Sequence, residues 1–279
     1  METTQKPLRV TLLTALGLFC TAIMLFPIYW IIVSSLKNTT ELFRSSPTLF
    51  PQQIDFSPYV NNFVQNQDVL YYMGNSLQIA LGTMVLSLVL AAPIAYALAR
   101  LPIRGKNVFL LAFLIVQMFP GIMLALPLFV MFTQIGLINS LLAVVLAVTT
   151  RTLPFAVLIL RPFFLSLPRD LEDAALIDGC TIWSAFYRVI LPLSRPGMVT
   201  VAVLTFLMGW SDFLFPLTLI SDDSKRPLTL GLYKFISEYG SRWNDLMAVA
   251  VVAAIPIILV FIFAQRYITS GLVAGAVKE

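Results

Sequence analysis

Six long apolar stretches dominate the chain, near residues 10–35, 76–99, 107–135, 139–163, 197–220 and 246–268. Each reaches the length of about 20 residues that a helix needs to cross a hydrocarbon core of ~30 Å. Most connections between them are short, so little chain remains for a soluble domain and the predicted core is the helix bundle itself. Residues 167–196 break the pattern. There Leu167, Leu171, Ala174 and Ala175 share one helical face, with Arg169, Asp170, Glu172 and Asp173 mostly away from it. Ser166 and Pro168 suit the start of this short helix, and its early carboxylates suit the helix dipole. Gly179 stands where a left-handed cap would close it. Thr181 can cap a second helix with Ile182, Ala185, Phe186 and Val189 co-facial, and Pro192 and Pro196 end that helix before the fifth span. Periodicity alone makes this pair an interfacial support under the membrane.

Composition agrees with the pattern: 59% of residues are hydrophobic and only 11% charged, against about 25% charged in soluble domains. Mean hydropathy is +0.89. Lys and Arg orient the bundle. Eleven (Lys6, Arg9, Arg100, Arg104, Lys106, Arg161, Arg169, Arg188, Arg195, Arg266 and Lys278) fall on one side of the predicted membrane. Six (Lys37, Arg44, Lys225, Arg226, Lys234 and Arg242) fall on the other. The excess places both termini and residues 167–196 in the cytoplasm. The basic pI of 9.1 is thereby a matter of topology and implies no nucleic-acid partner. The first apolar run exceeds the h-region of a signal peptide and no A-x-A site follows, so an uncleaved span is expected.

The chain has two cysteines, Cys20 in the first span and Cys180 in a cytoplasmic loop, which offer no disulfide framework. With no histidine, a His general base and an H-E-x-x-H zinc site are excluded. No catalytic residue, metal ligand or Walker A pattern is expected. Within the spans, an ionised Arg or Asp costs about 2.5–3.5 kcal/mol at a helix centre, so Arg151 and Asp212 should face protein or water. Their depths allow them to pair. Asn75, Gln78, Gln117, Thr149 and Ser211 are further candidates for a polar pathway, or for hydrogen bonds between helices. Prolines 93, 120, 127, 154, 162, 216 and 256 can each kink a span. Outside the membrane, residues 37–72 and 221–245 carry aromatic side chains suited to a docking protein or to the membrane surface.

The order Asp173-Ala174-Ala175, Gly179, Val189, Leu191-Pro192 resembles the EAA motif of ABC importer permeases, with Asp173 for the usual Glu and Val189 for the usual Ile. The resemblance extends along nearly the whole chain and is similar to the carbohydrate-uptake, MalG-like branch. It rests on "NSLQIALGTMVLSLVLAAPIAYALARLPIRGK" from Asn75, "FPGIMLALPLFVMFTQIGLINS" from Phe119, "GWSDFLFPLTLI" from Gly209 and "QRYITSGLVAGAVKE" from Gln265.

That resemblance implies an all-α membrane protein of the type I importer permease fold. It would be a single permease domain over residues 1–279, with six transmembrane helices and a cytoplasmic coupling helix. Glu172, Asp173, Ala174, Ala175, Gly179, Val189, Leu191 and Pro192 would couple to an ATPase subunit. Gly271, Gly275 and Lys278, in a tail over residues 269–279, would reach between the ATPase subunits. Implied partners are a second, MalF-like permease, two ATPase subunits, an extracytoplasmic solute-binding protein and membrane lipid. ATP and Mg would be bound by the ATPase and none by this chain. Implied localisation is the bacterial inner membrane, multi-pass. A sugar or sugar-like solute is expected, and a glycerol-phosphate-type solute is an alternative. A secondary transporter would require inverted repeats, and none is visible. A structural anchor would leave the 167–196 segment unexplained.

Overall fold

The structure, a computed structural model, describes residues 7–237 and 242–276. In chain order the principal elements are α1 (Pro7–Ser35), α2 (Asp68–Arg100), α3 (Lys106–Met118), α4 (Gly121–Gln134), α5 (Leu141–Ser166), α6 (Asp170–Ile177), α7 (Ile182–Leu193), α8 (Arg195–Ser211), α9 (Leu214–Leu219), α10 (Leu228–Ser237) and α11 (Trp243–Ala276). Helices α1, α2, α5 and α11 each hold an unbroken apolar run of membrane length.

The other two predicted spans are not straight. Residues 107–135 fold as α3 and α4, bent by 98°. The cause is local: Phe119 precedes Pro120, whose ring disfavours helical backbone at the residue before it, and both adopt extended angles (ψ 125° and 136°). Residues 197–220 fold as α8 and α9, parted by an extended Asp212 (φ −67°, ψ 129°). Helix α8 also begins after a 78° bend from α7, at Ser194. Up to six spans are present if α3 with α4, and α7 with α8, each count as one. Prolines 93, 127, 154, 162, 216 and 256 remain inside helices, so most of the candidate hinges are accommodated.

The chain divides into two compact units. The first comprises residues 1–69 with 232–254. Its α1 carries exposed Leu12, Phe19, Ile23 and Met24, as suits a helix facing lipid or another subunit. The segment after α1 folds around buried charge. Lys37 is 2% exposed, and its ammonium donates to the Thr48 carbonyl and lies 4.7 Å over the Trp30 ring. Buried Glu41 accepts from the Thr48 hydroxyl (2.5 Å) and the Gln52 amide (3.1 Å). Foremost the Thr48 hydroxyl, and then Gln52, Lys37 and Arg44, hold the Glu41 carboxyl below its ordinary pKa against the cost of burial. Asp245 accepts from Asn62 (2.7 Å) and pairs with Arg242 (2.7 Å), joining the start of α11 to the π-helical turn Asn61–Gln65.

The second unit comprises residues 70–231 with 255–279. Small side chains let its helices approach. Ala91, Ala95 and Ala99 of α2 pack on Val157, Leu160 and Phe164 of α5, with Phe186 and Ile190 of α7 and Val201 of α8 completing the core. A Cβ on Gly209 would lie 2.9 Å from Ala80 Cα, so α8 can touch α2 only with glycine there. Ser87 and Thr152 share a buried hydrogen bond (2.6 Å) between α2 and α5. A second core joins Ile79, Phe132, Val144, Phe215 and Leu219. At that end Asn139, at φ 60°, accepts through Oδ1 from the Ser221 and Asp222 amides (3.2 and 3.1 Å), and its carbonyl accepts from Lys225 (2.9 Å).

Topology and the buried carboxylate can each be probed directly. In a Cys20→Ser/Cys180→Ser background, Ser224→Cys should react with an impermeant thiol reagent outside intact cells. Ile177→Cys should react only after lysis, and equal labelling of both from outside would refute the topology. The Glu41 network acts through a carboxylate whose folded pKa is depressed. Its contribution is complete above the unfolded value of about 4.3 and is lost as pH falls through the lower folded one. Amide exchange over residues 37–56, corrected for intrinsic rate, should therefore accelerate on acidification below about pH 4 in the wild type, and not in Glu41→Gln.

Candidate functional site

Two polar features stand out, one within the spans and one at their cytoplasmic ends. The first is a cavity of about 370 Å³ lined by Val148, Arg151, Met208, Ser211, Asp212, Phe213 and Leu214. Its lining comes from α5, the end of α8, the 212–213 break and the start of α9. The Gln117 amide, in the last turn of α3, donates to the Arg151 carbonyl (2.9 Å). A Cβ on Gly121, the first residue of α4, would lie 3.1 Å from Arg151 Nη1, so the 119–120 break places that helix start beside the guanidinium. Asp212 occupies the other break. Its Oδ1 caps α9 by accepting from the Phe215 amide (3.0 Å), and its carbonyl accepts from the Thr229 hydroxyl (2.7 Å).

Arg151 and Asp212 thus face one cavity, but no ion pair within 4.0 Å joins them among the described residues; they act on each other across space. Of the other pathway candidates, Ser211 lines the cavity while its hydroxyl donates to the Leu207 carbonyl (2.7 Å), and Gln117 borders it through Arg151. Asn75 does not belong to it. Its amide donates to the Ser224 and Arg226 carbonyls (both 2.9 Å), holding the 221–227 loop against α2. Gln78 is exposed and donates to Gly74 of its own helix (3.3 Å), and buried Thr149 donates to Val145 (2.7 Å). The amphipathic pattern could not distinguish these uses, because each is decided by a partner distant in sequence or by the helix's own backbone. Among the described residues no cluster of three or more Cys, Asp or Glu is placed to hold a metal.

The cytoplasmic feature is the predicted helix pair. Helix α6 ends in a six-residue cap: Cys180 N–H donates to the Ala175 carbonyl (2.9 Å) and Gly179 N–H to Leu176 (3.1 Å), with Gly179 at φ 85°. The Thr181 hydroxyl then accepts from the Ser184 amide (3.2 Å) and starts α7. The inward face of α6 differs from the one its apolar spacing predicts. Ala175 is buried, but Leu171 and Ala174 are exposed and Glu172 turns inward. Its Oε1 lies 3.2 Å from Arg100 Nε of α2. With Arg100 buried at the end of α2, an inward Glu172 supplies the counter-charge that an inward Leu171 could not. Outward are Asp173, Leu176 and Ile177, the last 86% exposed. Val189 and Leu191 pack against the core and Pro192 is exposed. The backbone of α11 continues helically through Gly271 and Gly275 to Ala276; Lys278 lies outside the described residues.

A helical membrane bundle with polar breaks around a cavity, and a capped cytoplasmic helix presenting uncovered apolar and acidic side chains, defines a membrane transport subunit acted on from outside the bilayer. The chain belongs to the family of binding-protein-dependent transport system inner membrane components, matched over residues 87–273.

It is 35% identical to the arabinooligosaccharides transport system permease protein AraQ of Halalkalibacterium halodurans, over 100% of both chains. It is 34% identical to the diacetylchitobiose uptake system permease protein DasC of Streptomyces coelicolor, over 91% of this chain and 92% of that one. To the trehalose transport system permease protein SugB of Mycobacterium tuberculosis it is 36% identical, over 97% and 98%. In fold it matches a chain of a bacterial ABC transporter involved in the import of the acidic polysaccharide alginate. That match has a TM-score of 0.80 at 23% identity, covering 96% of this chain and 100% of that chain.

The left-handed backbone at Gly179 gives a direct test. Nothing lies within 4 Å of a Cβ built there, so substitution costs only backbone strain, about 1–2 kcal/mol for an L residue. Gly179→Ala should be mild and Gly179→Val more severe, lowering solute uptake per ATP hydrolysed while the spans still insert. Wild-type ratios in the Val variant would show that the cap does not aim α6.

Proposed function

We propose that this chain is one of two permease subunits of a bacterial ABC importer for a carbohydrate, which crosses the inner membrane beside the Arg151–Asp212 cavity. The carrying observation is the α6–Gly179–α7 unit. Its outer face leaves Asp173, Leu176 and Ile177 uncovered beside a well-formed cap, the form of a surface made to dock. An ATPase subunit docks there. Its closure on ATP pushes α6 and shifts the bundle between inward- and outward-facing states. One docking unit serves one ATPase, so the complex holds two permeases, the second MalF-like, with two ATPase subunits and an extracytoplasmic binding protein that delivers solute. ATP and Mg belong to the ATPase, and this chain is non-catalytic. Gly271, Gly275 and Lys278 serve as the contact of the C-terminal tail with the ATPase pair.

The carbohydrate reading is supported by the relatives, whose names specify arabinooligosaccharides, diacetylchitobiose and trehalose. It is also supported by chemistry: a guanidinium and a carboxylate on one cavity wall offer donors and acceptors to neighbouring hydroxyls. The irregular backbone at 212–213 is tolerated at membrane depth where it lines such a cavity.

The reconstituted complex with its binding protein should hydrolyse ATP faster with one member of a panel of oligosaccharides, and no stimulation by any would overturn the carbohydrate assignment. Arg151→Ala and Asp212→Ala should each lower uptake by about tenfold, the equivalent of one charged hydrogen bond of ~1.5 kcal/mol. Unchanged uptake in both would move the pathway elsewhere.

A further inference from the structure

We propose that Arg100 is a positioning residue that ties the docking helix α6 to the cytoplasmic ends of α2 and α5, so that the three move as one body when an ATPase subunit pushes on α6. The inference rests on the coupling role proposed above. Arg100 Nε lies 3.2 Å from Glu172 Oε1, with the two side chains 3% and 16% exposed. Among the described residues neither atom has a hydrogen-bond partner, so each is neutralised mainly by the other. The other arm of the same guanidinium donates from Nη2 to the carbonyl of Leu167, the C-cap residue of α5. One side chain of α2 therefore grips the end of α5 and the first turn of α6. A second arginine runs the opposite way, Nε of Arg161 in α5 reaching the Leu98 carbonyl of α2 (3.5 Å). Each helix end thus has its last carbonyls met by a cation from the other, where such charge is favoured. On the same helices Tyr96, Phe164 and Phe186 pack on one another, with ring centroids 4.7 to 6.2 Å apart.

The arrangement separates two adjacent carboxylates of the motif. Asp173 is exposed and belongs to the docking face, whereas Glu172 is internal. Breaking a buried pair by removing one partner strands the other charge, while removing both does not. The lever model therefore predicts an order among variants that a docking role for Glu172 does not.

The test uses the complete complex with its ATPase subunits and binding protein, and reads two quantities: co-purification of the ATPase, and solute taken up per ATP hydrolysed. ATP-driven uptake by the wild type tests the function itself, independently of any variant. Arg100→Gln and Glu172→Gln should each keep the ATPase bound yet lower uptake per ATP by roughly fivefold or more, the range of an ordinary coupling energy. Arg100→Lys, which keeps the charge but loses the two-armed grip, should fall between. Exchanging the charges, Arg100→Glu with Glu172→Arg, should recover part of the ratio. If single variants do not assemble, the double Arg100→Gln/Glu172→Gln variant leaves no lone buried charge and should assemble with a lowered ratio. Loss of ATPase co-purification in Glu172→Gln that the double variant does not restore would place Glu172 on the docking face and overturn the proposal. So would a wild-type ratio in assembled Arg100→Gln or in the double variant.

Discussion

A polypeptide in a bilayer has no water to satisfy its backbone, so every N–H and C=O must find a partner within the protein. The rest of this structure depends on how the chain meets that demand at the few places where its helices stop. At Asp212 the side chain takes the Phe215 amide and the main-chain carbonyl takes the Thr229 hydroxyl. Near the 119–120 break, Gln117 reaches the Arg151 carbonyl. The costly polar groups of the spans are thus gathered where the backbone is irregular, and the cavity between them is the candidate pathway. Helix interruption and polar lining are one feature seen from two sides.

The cytoplasmic face meets the same demand with arginine. A bias of positive charge orients a membrane protein during insertion, yet Arg100 and Arg161 do more than orient. Each reaches a terminal carbonyl of the other's helix, and Arg100 also neutralises Glu172. Helix α6 is thereby fixed at its beginning by a buried charge and at its end by the left-handed turn at Gly179. Between those points its outer face remains uncovered.

On the opposite end, a comparable economy of polar groups fixes the loop between α9 and α10. Asn139 accepts two of its amides, Asn75 donates to two of its carbonyls, and the Ser76 hydroxyl accepts from Leu228 N–H (2.8 Å). Asp222, held below its ordinary pKa foremost by the Ser224 amide, closes the turn. Just past this loop, the hydroxyl of Thr229 in α10 donates to the Asp212 carbonyl. The extracytoplasmic loop and the cavity thus adjoin within one unit of the fold.

The membrane class, the approximate positions of the spans, the cytoplasmic helix pair and the glycine cap were legible in the sequence, because apolar length, charge bias and a glycine at a helix end act locally. So was the motif beginning at Asp173. Proline content did not tell which spans break, since most prolines stay inside helices whose neighbours absorb them, and only 119–120 and 212–213 open beside polar partners. Nor did spacing reveal that Glu172 faces inward, that Asn75 serves a loop about 150 residues away, or that Arg151 and Asp212 share a cavity without an ion pair. Periodicity reports which side of a helix a residue occupies, but a charge goes where its partner is. In a medium of low dielectric that partner outweighs hydrophobic patterning, and only the packed helices determine which residue it is.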